Sequence, residues 1–325
     1  MSAPPENIAN RVGDWVAQIL AGHPLALSRA VTLIENREPG AEELLKALFP
    51  HTGRAFRIGI TGSPGTGKST LVDCLATHFR AADKTVGIIA VDPSSPFTGG
   101  AILGDRIRML RHAEDQGTFI RSMATRGYLG GLAQATGDVS LLLDAAGKDV
   151  ILIETVGVGQ GEIEVVRLAD CTLVVLTPGM GDDVQSLKAG LMEIGDIFVI
   201  NKSDREGADQ FEQQLLAVLG LVSDHEGWTP AIVRTIATQD QGTDELIAQI
   251  AQFQEHLQTD RERCSRERDY WREWLLRLLQ ARVAEKALGK GIGEAEFDRL
   301  ASDVAARKID PYSAVNEILA RAGLS

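Results

Sequence analysis

The segment Gly62-Ser63-Pro64-Gly65-Thr66-Gly67-Lys68-Ser69-Thr70 follows a β-rich apolar run, Phe56–Thr61, and opens a helical stretch. Its residue types and spacing match the phosphate loop G-x-x-x-x-G-K-[ST] in full. Gly65 and Gly67 allow the backbone close to a phosphate, so successive N–H groups surround it at a helix N-terminus, where the helix dipole favours negative charge. Lys68 then reaches the β- and γ-phosphates, and the Ser69 hydroxyl is a ligand for Mg²⁺. The plain alternative is a glycine-rich turn that only joins a strand to a helix, and the Lys-Ser pair argues against it.

Carboxylates arrive at the ends of two further apolar runs. Val86–Val91 delivers Asp92, and Val150-Ile151-Leu152-Ile153 delivers Glu154-Thr155-Val156-Gly157. Ligands bind at the carboxyl ends of strands in open α/β sheets, so both acids suit a metal site, and Gly157 suits a γ-phosphate contact through its N–H. Asp105, in Gly104-Asp105-Arg106, reads as metal ligand or turn former on position alone. The run Ile197-Phe198-Val199-Ile200 enters Asn201-Lys202-Ser203-Asp204 about 140 residues after the phosphate loop. Guanine offers N1–H and a 2-amino group that one carboxylate accepts together, whereas adenine has neither donor at that edge. Asp204 therefore reads as the base selector, Lys202 lies across the ring, Asn201 ties this loop to the phosphate loop, and Ala237 offers an N–H to the guanine carbonyl. A simple turn is the bland reading of Asn-Lys-Ser-Asp. Pro178–Lys188, rich in glycine and acid, reads by itself as a helix entry capped by Asp182 or Asp183.

Positioning these groups requires a particular scaffold. The apolar runs Phe56–Thr61, Val86–Val91, Val150–Glu154, Cys171–Thr177, Ile197–Ile200 and Ala231–Ile236 are continuous rather than alternating, each followed by a helical pattern. That predicts strands buried on both faces: an α/β, doubly wound, mostly parallel sheet. Two or three short helices are expected over about 7–50, and helices again after about 244. There Trp271, Trp274, Leu275, Leu278, Leu279 and Val283 form one apolar side, either packed on its own domain or used for dimerisation. Acidic residues outnumber basic ones 45 to 33, which speaks against general nucleic-acid or anionic-lipid affinity. Cys74, Cys171 and Cys264 are too scattered for a disulfide framework or zinc site, and no leader or membrane span is read, so a cytoplasmic protein is expected.

With Arg29-Ala30-Val31-Thr32-Leu33-Ile34-Glu35, Val91-Asp92-Pro93-Ser94-Ser95, Leu103-Gly104-Asp105-Arg106-Ile107-Arg108-Met109 and Glu154-Thr155-Val156-Gly157-Val158-Gly159-Gln160 added to the motifs above, the chain resembles the MeaB/ArgK family of P-loop GTPases. The resemblance implies GTP/GDP binding and Mg²⁺ held by Ser69, Asp92, Asp105 and Glu154. It implies switches at Asp92–Arg108 and Glu154–Gly161, and a third at Pro178–Lys188 carrying Gln185 and Lys188. The expected catalytic set is Lys68, Asp92, Asp105, Glu154 and Lys188. The division expected is 1–52 helical, 53–258 GTPase and 259–325 a helical dimerisation segment. The partner implied is an adenosylcobalamin-dependent acyl-CoA mutase, methylmalonyl-CoA mutase first, with cofactor loading gated by nucleotide. Two other classes stand beside it. A nickel metallochaperone would cluster histidines or cysteines, and the six histidines here are scattered. A P-loop small-molecule kinase would use adenine, which Asp204 opposes.

Overall fold

The computed structural model describes residues 5–92, 112, 115–124, 131–155, 168–179, 189–220, 227–257 and 260–323. In chain order the first part holds α1 (Pro5–Leu20), α2 (Pro24–Glu35), α3 (Ala41–Leu48), β1 (Phe56–Thr61), α4 (Lys68–Ala81), β2 (Val86–Asp92), β3 (Thr118–Ala124), α5 (Gly131–Ala145), β4 (Val150–Thr155) and β5 (Cys171–Leu176). There follow α6 (Ala189–Ile194), β6 (Ile197–Asn201), α7 (Ala208–Leu219), β7 (Ala231–Thr235) and α8 (Thr243–Leu257). The strands form one sheet in the order β3-β2-β4-β1-β5-β6-β7, and every neighbouring pair is parallel. The doubly wound fold read from the sequence is therefore present. Because the chain fills the sheet to one side of β1 and then to the other, the carboxyl end of β1 lies at the point where ligands bind in such sheets.

Burial on both faces explains the continuous runs. Leu173 and Val175 join Ile58, Ile60, Leu71, Leu75, Leu246 and Phe253 in one cluster, while the alternate residues Val174 and Leu176 join Phe198, Ile200, Phe211 and Leu215 in another. Each fully buried aliphatic side chain contributes about 1.5–3 kcal/mol. Trp228 closes one end of the larger cluster, its ring edge-on to Phe253 at 5.0 Å, with its N–H donating to the Asp196 carbonyl at 2.9 Å.

β3 was not expected. Among the described residues it pairs only with β2, at the edge of the sheet, and its sequence Thr-Phe-Ile-Arg-Ser-Met-Ala is broken by Arg121 and Ser122 instead of running apolar. Met123 is buried, whereas Arg121 is partly exposed and ion-paired to Glu35 of α2, which brings the N-terminal helices over this edge. The return into β3 is also fastened to α4: Asp115 accepts from Arg80 at 2.6 and 3.0 Å, and His112 Nε2 lies 3.1 Å from Asp73 Oδ1. The Arg80 guanidinium, helped by Thr118 and the Gly117 N–H against the cost of burial, holds the Asp115 carboxyl well below the usual carboxylate range.

The chain divides into two compact units, Met1–Arg266 and Glu267–Ser325. A long helix, α9 (Asp260–Lys286), runs into the second, which adds a π-turn at Ala287–Gly291, α10 (Glu294–Ala305) and α11 (Pro311–Arg321). Asp310 caps α11 by accepting from the Ser313 N–H at 2.9 Å, with Pro311 at the first helical position. On α9 the expected apolar side divides. Trp274 is buried and stacks with Tyr270, while Leu275 and Leu279 are about 60% exposed. None of the described helices is long and apolar enough to cross a membrane.

Candidate functional site

At the carboxyl end of β1 the backbone turns through Gly62, whose φ of +140° excludes ordinary side chains, and a Cβ there would stand 2.1 Å from the Val175 carbonyl oxygen of β5. Gly67, at φ +94°, caps α4, and a Cβ there would lie 2.3 Å from Asn201 Nδ2. Close approach is thus required at Gly62 and Gly67. Gly65 has φ +80° but open space around it, so its need is conformational alone. Thr66 is buried and its hydroxyl donates to the Ser63 carbonyl at 3.0 Å, which closes the loop on itself, while Ser63 and Pro64 stay exposed.

Lys68 is 5% exposed, and its Nζ donates to the Gly62 and Ser63 carbonyls at 2.7 and 3.0 Å. The ammonium is therefore held over the loop it belongs to. Next to it, the Ser69 hydroxyl donates to Glu154 Oε1 at 2.6 Å. Glu154, at the end of β4, is 5% exposed. A hydroxyl and a carboxylate converging beside a phosphate loop are hard oxygen donors, the set that suits Mg²⁺. Thr70, partly buried, follows in the first turn of α4. Asp92 ends β2 beside this group, in register with Ala124 of β3. Its side chain, together with Asp105, Gly157, Gln185 and Lys188, lies outside the described residues.

The segment Asn201-Lys202-Ser203-Asp204 leaves β6 on the other side of β1. Asn201 is 2% exposed and engaged at both ends of its amide: Nδ2 donates to the Thr66 carbonyl at 2.7 Å, and Oδ1 accepts from Thr235 Oγ1 at 3.2 Å and the Ala237 N–H at 3.1 Å. One buried side chain thereby joins the phosphate loop, the end of β7 and the turn beyond it. Lys202 takes a left-handed conformation at φ 57°, and its Nζ donates to the Gly65 carbonyl at 2.7 Å. Asp204 is exposed and has no hydrogen-bond or ion-pair partner among the described residues. Its carboxylate is available to a ligand. The Ala237 N–H is not, because Asn201 uses it, and the next N–H in the turn is that of Thr238. Thr66, read from the sequence as part of the phosphate loop, enters this junction through its backbone carbonyl, and Thr235, which completes it, was missed from sequence because it acts through an ordinary hydroxyl contact.

Comparison with known proteins follows the same lines. The family description "Methylmalonyl Co-A mutase-associated GTPase MeaB" matches residues 27–291. A relative from Pyrococcus abyssi is 48% identical, over 95% of this chain and 96% of that one. "GTPase ArgK" of Escherichia coli is 36% identical over 89% of this chain and 88% of its own length. "Methylmalonic aciduria type A homolog, mitochondrial" of Mus musculus is 32% identical over 82% of this chain and 69% of its own. A crystal structure described as a LAO/AO transport system kinase superposes with a TM-score of 0.73 at 27% identity, covering 98% of each chain.

Proposed function

This chain belongs to the MeaB family of methylmalonyl Co-A mutase-associated GTPases, and we propose that it is a nucleotide-switched chaperone that gates cofactor loading into an adenosylcobalamin-dependent acyl-CoA mutase and protects that enzyme. The observation that carries the reading is the Asn201 junction. It holds the phosphate loop and the base-reading turn as one rigid cradle, so both ends of a guanine nucleotide are sensed together. Within the cradle, Asp204 accepts from N1–H and the 2-amino group. The turn at Ala237–Gln239 gives an N–H to the 6-carbonyl, with Thr238 the donor because Ala237 is committed. Lys68 moves its ammonium from the Gly62 and Ser63 carbonyls to the β- and γ-phosphates. The N–H groups at the start of α4 stabilise the charge that spreads over the transferred phosphoryl group.

Ser69, Glu154, Asp92 and Asp105 are the residues that would hold Mg²⁺, which when bound neutralises charge on the phosphates and acts as a Lewis acid there. The switches at 92–108, 154–161 and 178–188, with Gln185 and Lys188 in the third, report the γ-phosphate to the client. Client pull-down with GDP and with a non-hydrolysable GTP analogue tests this: recovery of the mutase should differ at least about threefold between the two states. Equal recovery, or none, overturns the switch.

The same proposal includes a homodimer through the helical segment after 259, since Leu275, Leu276 and Leu279 stand exposed on α9. The double substitution Leu275→Glu and Leu279→Glu is expected to lower the mass measured by light scattering from dimer to monomer without loss of GDP binding. A dimer that survives both substitutions places the interface elsewhere.

A further inference from the structure

Beyond Asn201, the turn after β7 is gripped from a second side by a helix that carries phosphate-binding residues. The turn Ile236–Gln241 is closed by paired backbone bonds, Ile236 N–H to the Gln241 carbonyl at 2.9 Å and Gln241 N–H to the Ile236 carbonyl at 3.3 Å. Asn201 holds its inner side. Against its outer side lie Cys74 and His78 of α4, four residues apart and so on one face of that helix. Cys74 Sγ donates to the Ala237 carbonyl at 3.1 Å. His78 Nε2 lies 3.0 Å from both carboxylate oxygens of Asp240, and His78 Nδ1 lies 3.2 Å from Asp244 Oδ1 at the start of α8. Burial works to raise the Asp240 carboxyl, and the nearby Thr243 hydroxyl with the hydrogen bond and charge of His78 outweigh it, leaving Asp240 below the ordinary carboxylate range.

We propose that Cys74 and His78 are positioning residues of the base pocket: together they fix the Ala237–Gln239 turn on the phosphate-loop helix so that its N–H meets the 6-carbonyl of the nucleotide. Lys68 begins this same helix, so one element carries both the phosphate-binding lysine and the residues that hold the turn. Asp240 sits at φ 54°, where asparagine is tolerated, so Asp240→Asn removes the charge without adding strain. The inference rests on the guanine reading of Asp204, and its test is built to separate the two.

Affinities of the full chain for GDP and for 6-thioguanosine diphosphate are measured by calorimetry. The thio analogue keeps the N1–H and 2-amino donors that Asp204 reads and replaces the 6-carbonyl by a weak sulfur acceptor. His78→Ala and Asp240→Asn are each expected to weaken GDP binding about fivefold and to change binding of the thio analogue by less than about twofold, and the double variant is expected to be no weaker than either single. Equal losses on both nucleotides, or additive losses in the double variant, overturn the proposal and leave the base pocket standing. Undiminished GDP binding by Asp204→Ala removes the base pocket, and the proposal goes with it.

Discussion

Asp204→Asn is expected to weaken GDP binding about 10²- to 10³-fold, roughly 3–4 kcal/mol, and to create measurable binding of xanthosine diphosphate. The direction follows from the donors and acceptors on each side. A carboxylate accepts from both N1–H and the 2-amino group of guanine, while the asparagine amide turns one of those acceptors into a donor facing a donor. Xanthine carries a carbonyl at that position, so the same amide meets an acceptor there and keeps its carbonyl for N1–H. Because Asp204 is exposed and has no partner among the described residues, the substitution orphans no buried group there and the fold should be unaffected. Calorimetric titration of both diphosphates into both proteins reads the exchange. Loss of GDP without any gain for the xanthine nucleotide would mean that Asp204 acts through charge alone, and an unchanged GDP affinity would remove it from the base site.

Six of the seven described strands could be read from the sequence because burial on both faces writes itself as uninterrupted apolar residues: Cys171–Leu176 has no exposed position, and neither has Val150–Thr155. β3 escaped because an edge strand needs only part of its surface covered. Its Arg121 is satisfied by Glu35, 86 residues earlier, and nothing local to either residue announces that partner. The site divides in the same way. Glycine, lysine and serine at fixed spacing identify the phosphate loop, since only those types do its chemistry. What they touch is another matter: the tie of Asn201 to the phosphate loop was expected, but not that it ends on the Thr66 backbone carbonyl, nor that Gly62 makes room for the carbonyl of Val175. Every residue has a carbonyl, so such contacts leave no trace in residue type. In α9 the fault was angular. Trp274 and Leu275 are neighbours in sequence but about 100° apart around a helix, far enough for one to be buried and the other exposed.

Gly67→Ala is expected to destroy nucleotide binding through a clash with the Asn201 side chain, and Gly65→Ala separates that cause from backbone strain. Both glycines have positive φ, so an alanine at either costs about 1–2 kcal/mol in conformation. They differ in what the new methyl meets. At Gly65 nothing lies within 4 Å, and the strain is the whole cost in the free protein. At Gly67 the methyl would overlap Asn201 Nδ2, and Asn201 is 2% exposed, with its amide bonded to Thr66, Thr235 and Ala237. It can yield only by breaking at least one of those buried bonds, which adds about 1–3 kcal/mol. The bond most directly opposed is the one to the Thr66 carbonyl, and with it goes the tie between the phosphate loop and the turn after β7. Urea unfolding should therefore show Gly67→Ala less stable than Gly65→Ala by about 1–3 kcal/mol, and GDP affinity of Gly67→Ala should fall at least about 100-fold. If the two variants unfold together, the Asn201 junction bears no strain and the cradle is held by other contacts.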